Sequence, residues 1–152
     1  MQKWDKFTLD TFYTNFVPVV FDEFDTADYD QRFYGTFGTY KGEKDAFDLY
    51  YLGYDNNNAV ADFSVHTIGS RLTGGRDNWL YELEGGAQFG DQDRLGLWHE
   101  AAFATAGVGR KLPKVKWSPT VWFYYDYASG NNIGGDFNRF NQLFPLAHKY
   151  LG

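Results

Sequence analysis

The feature that most constrains this chain is an alternation of apolar and polar side chains with a period of two. It is clearest in residues 78–89, where Trp79, Leu83 and Phe89 fall on one face while Glu82 and Glu84 fall on the other. A strand sends successive side chains to opposite faces, whereas a helix would scatter both sets around its circumference. The segment is therefore predicted to be a strand with one apolar and one polar face.

The same pattern along the chain predicts an all-β fold of about seven long strands. The predicted strands are Lys6–Val17, Asp30–Tyr40, Ala46–Tyr54, Val60–Thr73, Asn78–Phe89, Leu95–Arg110 and Thr120–Ala128. Most connections are short and carry turn residues, as in Lys41–Lys44, Asp55–Asn58, Gly74–Asp77 and Gly90–Asp93. Because short connections force antiparallel pairing, we expect one domain over residues 1–152, arranged as an antiparallel meander.

The length of these strands favours a sheet in a membrane. Several run to about ten residues or more, which matches a tilted membrane-spanning strand better than a strand of a soluble sheet. Aromatic residues make up 21% of the chain, and Trp and Tyr prefer the headgroup level of a bilayer. A soluble β-sandwich that binds glycans on its aromatic side chains also alternates, and it remains open as the alternative at this point.

Composition excludes several other classes. With a formal charge of −6, the chain lacks the clustered basic residues of a nucleic-acid binder, so no nucleic-acid partner is expected. It has no cysteine, and its three histidines do not fall into metal-binding motifs, so we expect no metal or other cofactor. No Gly-x-Ser-x-Gly motif surrounds a serine. We therefore expect a protein that is not an enzyme.

Several segments of the chain carry a resemblance to a known family: Asp45–Asp55, His66–Gly74, Leu80–Gly90, Tyr125–Asn131, Phe140–Pro145 and His148–Gly152. In their order and spacing, over roughly residues 30–152, they resemble the alginate-export family of bacterial outer-membrane barrels. It implies a transmembrane β-barrel in the bacterial outer membrane, in contact with its lipid. The implied activity is that of a passive, porin-like channel for an anionic polysaccharide such as alginate, or for another polar solute.

The strand count departs from that family. Bacterial single-chain barrels have an even number of strands, starting at about eight, whereas about seven are predicted here. Residues 1–16 also lack the continuous apolar core of a signal peptide. We therefore expect this chain to be part of a larger barrel.

The candidate site is the polar face of these strands, which would line the pore because charges on the lipid face are costly. Glu82 and Glu84 fix that face, and Arg71 in the preceding strand is expected to oppose them as a cross-strand ion pair. The candidate pore-lining residues are Arg32, Asp48, Arg71, Glu82, Glu84, Asp126, Arg139 and His148. Arg71 with Arg32 would attract an anionic polymer, or these charges would only neutralise one another. Tyr50, Tyr54 and Tyr124 are further candidates as platforms for sugar rings.

Overall fold

The computed structural model describes residues 2–19, 21–22, 24–59, 61–92, 96–131 and 137–143, with residues 2–4 as backbone only. Within these ranges the chain forms eight strands: β1 (Gln2–Trp4), β2 (Phe7–Phe16), β3 (Asp28–Lys41), β4 (Asp45–Asn58), β5 (Ala61–Arg76), β6 (Trp79–Gln92), β7 (Leu97–Lys111) and β8 (Thr120–Ala128). None of the described residues belongs to a helix long and apolar enough to cross a membrane.

All eight strands lie in one antiparallel sheet whose order follows the sequence, from β1 to β8. This confirms the predicted meander, with all seven long strands present and the short β1 added at one edge. The sheet is open, with β1 and β8 as its edges, which is consistent with part of a barrel. The described strands form this sheet alone, with no second sheet packed on it as a sandwich would require.

Three predicted turns lie wholly or mostly inside strands instead. Residues Asp55–Asn58 complete β4, Gly74 to Arg76 complete β5, and Gly90 to Gln92 complete β6. The turn after β5 therefore shifts to Asp77, which has a φ of 54°. Asn56 is buried, and its side-chain oxygen accepts a hydrogen bond from the Asn58 amide at 3.0 Å. The asparagines therefore satisfy their polar groups at the end of a strand as well as they would in a turn.

The register divides the sheet into two faces. The inner face carries Asp48, Arg71 and Glu84, which lie opposite one another on β4, β5 and β6. Every buried side chain of the described ranges lies on this face: Asp48, Tyr50, Asn56, Val65, Thr67, Gln88, His99 and Ala101. When a sheet curls, the side chains on its concave face come closer together and are less exposed than those on its convex face.

The outer face is apolar and open. Leu49 is 55% exposed, Ile68 48% and Leu83 49%. Ring-bearing side chains lie beside this apolar surface, among them Trp79 and Trp98, whereas Trp122 lies on the inner face against Tyr124. A sheet with its large apolar side chains exposed on one face requires another apolar phase to cover that face.

Candidate functional site

Arg71 lies at the centre of the inner face and forms the expected cross-strand ion pair. Its Nη2 and Nε donate to Glu82 Oε1 at 2.7 and 3.0 Å. Glu84 lies on the same strand as Glu82, and its Oε2 is 3.9 Å from Arg71 Nε. Because Glu82 is only 15% exposed, this pair is better shielded from solvent than a surface ion pair.

Two tyrosines extend the ion pair into a network that reaches from β4 to β8. The Tyr50 hydroxyl donates to Glu84 Oε1 at 2.7 Å, and the Tyr124 hydroxyl donates to Glu82 Oε2 at 3.0 Å. We call these five residues, Tyr50, Glu84, Arg71, Glu82 and Tyr124, the inner polar network. It holds both carboxylates in place with charged and neutral donors, which suits acceptors that are partly buried.

Glycines on the neighbouring strands allow these tyrosines to lie flat on the sheet. Tyr50 is directly opposite Gly69, and Tyr124 is directly opposite Gly107. A Cβ at either glycine would overlap the tyrosine ring that covers it. The glycines therefore determine where the two hydroxyl groups point.

The remaining predicted site residues have different positions. Asp48 is buried on the inner face directly opposite Arg71 and accepts a hydrogen bond from Thr39 Oγ1 at 2.8 Å. Asp126 is exposed on the same face of β8, where it pairs in register with Thr105. His148 lies outside the described residues.

Arg32 is predicted to lie on the same face as Arg71, but the register places it on the outer face. It pairs with Asp55, which in turn pairs with Ser64, whereas Arg71 belongs to the other set of alternate residues on β5. The two arginines therefore do not share one path. Both faces of β3 carry aromatic rings, including Phe33 and Tyr34, so its sequence does not indicate which side faces inward.

The charge on the inner face is mainly negative. Arg71 faces three carboxylates, those of Asp48, Glu82 and Glu84, and it is the only ion-paired cation in the described ranges. The geometry thus matches the reading in which these charges neutralise one another. The inner polar network can hold this part of the sheet in place and offer hydroxyl and carboxylate groups to a polar molecule.

A segment after β8, residues 137–143, lies against the inner face near one end of the sheet. Phe137 bridges to β7, where its amide donates to the Trp98 carbonyl at 3.0 Å. The Gln88 side chain bonds both backbone groups of Asn141, at 2.8 and 2.9 Å. Arg139 lies in this segment with an exposed side chain, and its amide donates to Asn131 Oδ1 at 2.7 Å.

Gln88 and His99, which hold this segment, were missed in the sequence. His99 is fully buried, its Nε2 lies 3.4 Å from Gln88 Oε1, and its ring packs on Phe137 at 5.5 Å. Within the described ranges, His99 Nδ1 is the only buried side-chain polar atom without a hydrogen bond. In the sequence, Gln88 and His99 could have been found as two polar residues at inward-facing positions of predicted strands.

A second polar cluster, on the outer face, contains Asp55, Ser64, His66 and Tyr51. Ser64 Oγ lies 2.6 Å from Asp55 Oδ1 and 3.2 Å from His66 Nε2, and Tyr51 bonds the other ring nitrogen at 2.9 Å. In a hydrolase triad the carboxylate orients the imidazole, whereas here it contacts the serine. The cluster therefore lacks the arrangement that activates a serine nucleophile.

No group of three or more potential metal ligands occurs in the part of the chain that the structure describes. No curated protein and no solved structure matches this chain. A family model described as alginate export matches residues 2–152. An all-β antiparallel meander with one apolar and one polar face fits such a transport role. On the strength of that match, which spans nearly the whole sequence, the chain belongs to the alginate export family.

Proposed function

We propose that this chain forms part of the wall of a porin-like channel in the bacterial outer membrane. A polysaccharide such as alginate, or another polar solute, would pass along the inner face by diffusion, without covalent chemistry. The observation that carries the proposal is the separation of side chains by face: the inner polar network lies on one side of the sheet, and exposed Leu49, Ile68 and Leu83 lie on the other. A barrel wall between lipid and water requires this separation.

The dimensions of the outer face support a membrane position. On β7 the outward-facing charges Glu100 and Arg110 enclose residues 101–109, and the outward residues between them are Ala102, Ala104, Ala106 and Val108. On β5, the outward-facing polar residues His66 and Arg76 enclose residues 67–75. Each enclosed stretch is close to the roughly 9–11 residues with which a tilted strand crosses the hydrocarbon core.

The inner face combines fixed polar groups with aromatic rings. Phe37 stacks on Tyr50 at 5.5 Å, and Trp122 stacks on Tyr124 at 5.3 Å. Tyr54 also faces inward, with its hydroxyl 2.8 Å from Gln31 Oε1. Flat ring surfaces beside hydroxyl groups suit a sugar chain, which presents both apolar ring faces and hydroxyl groups.

The channel is tested by electrical recording from the protein purified out of outer membranes and placed in planar lipid bilayers. We expect discrete conductance steps. Changing Glu82 and Glu84 to Gln should shift the ion selectivity toward anions, because it removes two fixed negative charges from the inner face. Arg32→Gln is the matched control on the outer face and should leave selectivity unchanged. Absence of conductance, or a folded monomer in buffer without detergent, would contradict the proposal.

A further inference from the structure

The two ends of the sheet differ sharply in charge. One end, which we call the turn end, carries the connections at 5–6, 42–44, 77–78 and 112–119. In these connections and the two strand residues on each side, nine basic residues outnumber four acidic ones; the basic ones are Lys3, Lys6, Lys41, Lys44, Arg76, Arg110, Lys111, Lys114 and Lys116. At the other end, counted from the sequence in the same way around 17–27, 59–60 and 93–96, seven acidic residues outnumber one basic residue, Arg94; the acidic ones are Asp22, Glu23, Asp25, Asp28, Asp62, Asp91 and Asp93.

Part of this positive charge points away from the inner face. Arg76, Trp79 and Arg110 are directly opposite one another on β5, β6 and β7, in the outward-facing set of residues. The Arg110 guanidinium lies 4.4 Å from the centre of the Trp79 ring. We call these three residues the Arg–Trp row. Because its side chains face outward, they cannot line a path along the inner face.

The Arg–Trp row lies at the edge of the apolar band described above, since Arg76 and Arg110 each end one of its nine-residue stretches. The neighbouring connection adds Lys116, whose Nζ lies 5.1 Å from the Trp117 ring centre, and Trp117 is 88% exposed. Tryptophan prefers the headgroup level of a bilayer, and basic side chains at that level are attracted to anionic lipid. The row thus has the chemistry and the position of a headgroup contact.

Resting on the proposed membrane location, we propose that the Arg–Trp row and the adjoining 112–119 connection bind the phosphate groups of anionic phospholipids. The longest connection between strands, 17–27, lies at the opposite end, and outer-membrane barrels have longer loops outside than in the periplasm. The turn end therefore faces the periplasmic leaflet, which is built of phospholipid. The row fixes the depth and orientation of the sheet in that leaflet.

The test measures partition of the full chain, diluted from urea, between buffer and lipid vesicles, with tryptophan fluorescence as the readout. One set of vesicles contains phosphatidylcholine alone, and the other also contains phosphatidylglycerol. We expect tighter, salt-sensitive partition into the second set. Changing Arg76 and Arg110 to Gln should reduce that preference about 25-fold, at roughly fivefold per basic residue. Changing both to Lys should retain it, and Arg32→Gln, on the outer face near the other end, should leave it unchanged.

The outcomes separate the two proposals. Equal partition of the unaltered protein into both vesicle types, or an equal loss of preference in Arg32→Gln, would overturn the headgroup contact and leave the membrane location intact. No partition into either type would overturn the membrane location itself. If the double Gln variant fails to fold, as judged by circular dichroism in detergent, Lys114→Gln with Lys116→Gln tests the same surface outside the sheet. An unchanged preference in that variant would then count against the proposal.

Discussion

At the scale of single residues, Arg71 is the residue on which the inner face depends. Its guanidinium contacts Glu82 at 2.7 Å and lies between that carboxylate and the one on Asp48 in the neighbouring strand. A cation among several carboxylates offsets their mutual repulsion, and removing it leaves partly buried acceptors without their donor. Arg71 is therefore a residue that stabilises the inner face of the sheet.

Replacing Arg71 with Leu should lower the free energy of unfolding by about 1–3 kcal/mol, because Glu82 loses a charged donor and faces Glu84 without compensation. Urea unfolding in detergent micelles measures the effect. The matched change Arg32→Gln, at an exposed position on the other face, should stay within about 0.5 kcal/mol. Equal effects of the two substitutions would show that the ion pair does not stabilise the sheet.

Gln88 offers a second test at this scale. Its side chain holds Asn141 from both backbone groups and also donates to Thr67 Oγ1 at 2.9 Å. Gln88→Leu should therefore raise the rate of amide hydrogen exchange at Asn141 by about tenfold or more, since each lost hydrogen bond is worth about 1 kcal/mol. Gln142→Leu, at an exposed position of the same segment, should leave that rate unchanged.

The sequence predicted the partners of Arg71 but not the position of Arg32 or the role of Gln88. In the middle of β5 and β6, strand alternation places Arg71, Glu82 and Glu84 on the same face, so these three residues could be paired from sequence. On β3 both faces carry aromatic side chains, so the sequence does not show which face of this strand points inward. The fold of residues 137–143 over Gln88 depends on contacts between distant parts of the chain, which periodicity cannot reveal.

At the scale of the elements, the strands pair glycine with large side chains across the ladder. Gly53 lies under Tyr34, Gly86 under Phe103 and Gly109 under Trp122, and each pair is directly opposite in register. A ring that covers a glycine shields the backbone and restores packing where the strand has no side chain. This pairing explains how one sheet can contain so many aromatic residues in such an orderly arrangement.

Gly69→Ala tests this pairing. The new Cβ would overlap the Tyr50 ring and displace the hydroxyl that bonds Glu84 at 2.7 Å. Overpacking of this kind typically costs about 1–3 kcal/mol, so the urea midpoint should fall accordingly. Gly85→Ala is the matched control, because its Cβ would meet only the Phe103 carbonyl oxygen at 3.4 Å. A similar fall of the urea midpoint in both variants would show that the position of the Tyr50 ring does not depend on Gly69.

The element boundaries show where turn composition misleads. The alternation located all seven long strands. Asp55–Asn58, Gly74 to Arg76 and Gly90 to Gln92, however, are predicted as turns although they continue β4, β5 and β6. Beside the end of β4, the side chain of Gln31 on β3 donates to Asp28 Oδ2 at 2.8 Å. Polar side chains in this region are therefore hydrogen-bonded within the sheet and do not need a turn. The strand β1 was missed because three residues are too few to show alternation.

At the scale of the whole molecule, one sheet separates two environments. The outer face exposes a band of aliphatic and aromatic side chains between charged borders, and the inner face buries polar groups that bond one another. Such a sheet is unsuited to water on both sides, because its apolar side chains would remain uncovered. Membership of the alginate export family fits a wall that has lipid on one side and a polar solute on the other.

The most direct test of this account is a scan of β7 with single nitroxide spin labels, which the absence of cysteine from the chain makes simple. Each of residues 101–108 is changed in turn to Cys, labelled, and examined in lipid vesicles for collision with oxygen, which enters lipid, and with a water-soluble nickel complex. The account predicts alternation, with oxygen favoured at Ala102, Ala104, Ala106 and Val108, and nickel favoured at Phe103 and Thr105. Nickel access at every position, or the absence of a period of two, would contradict it.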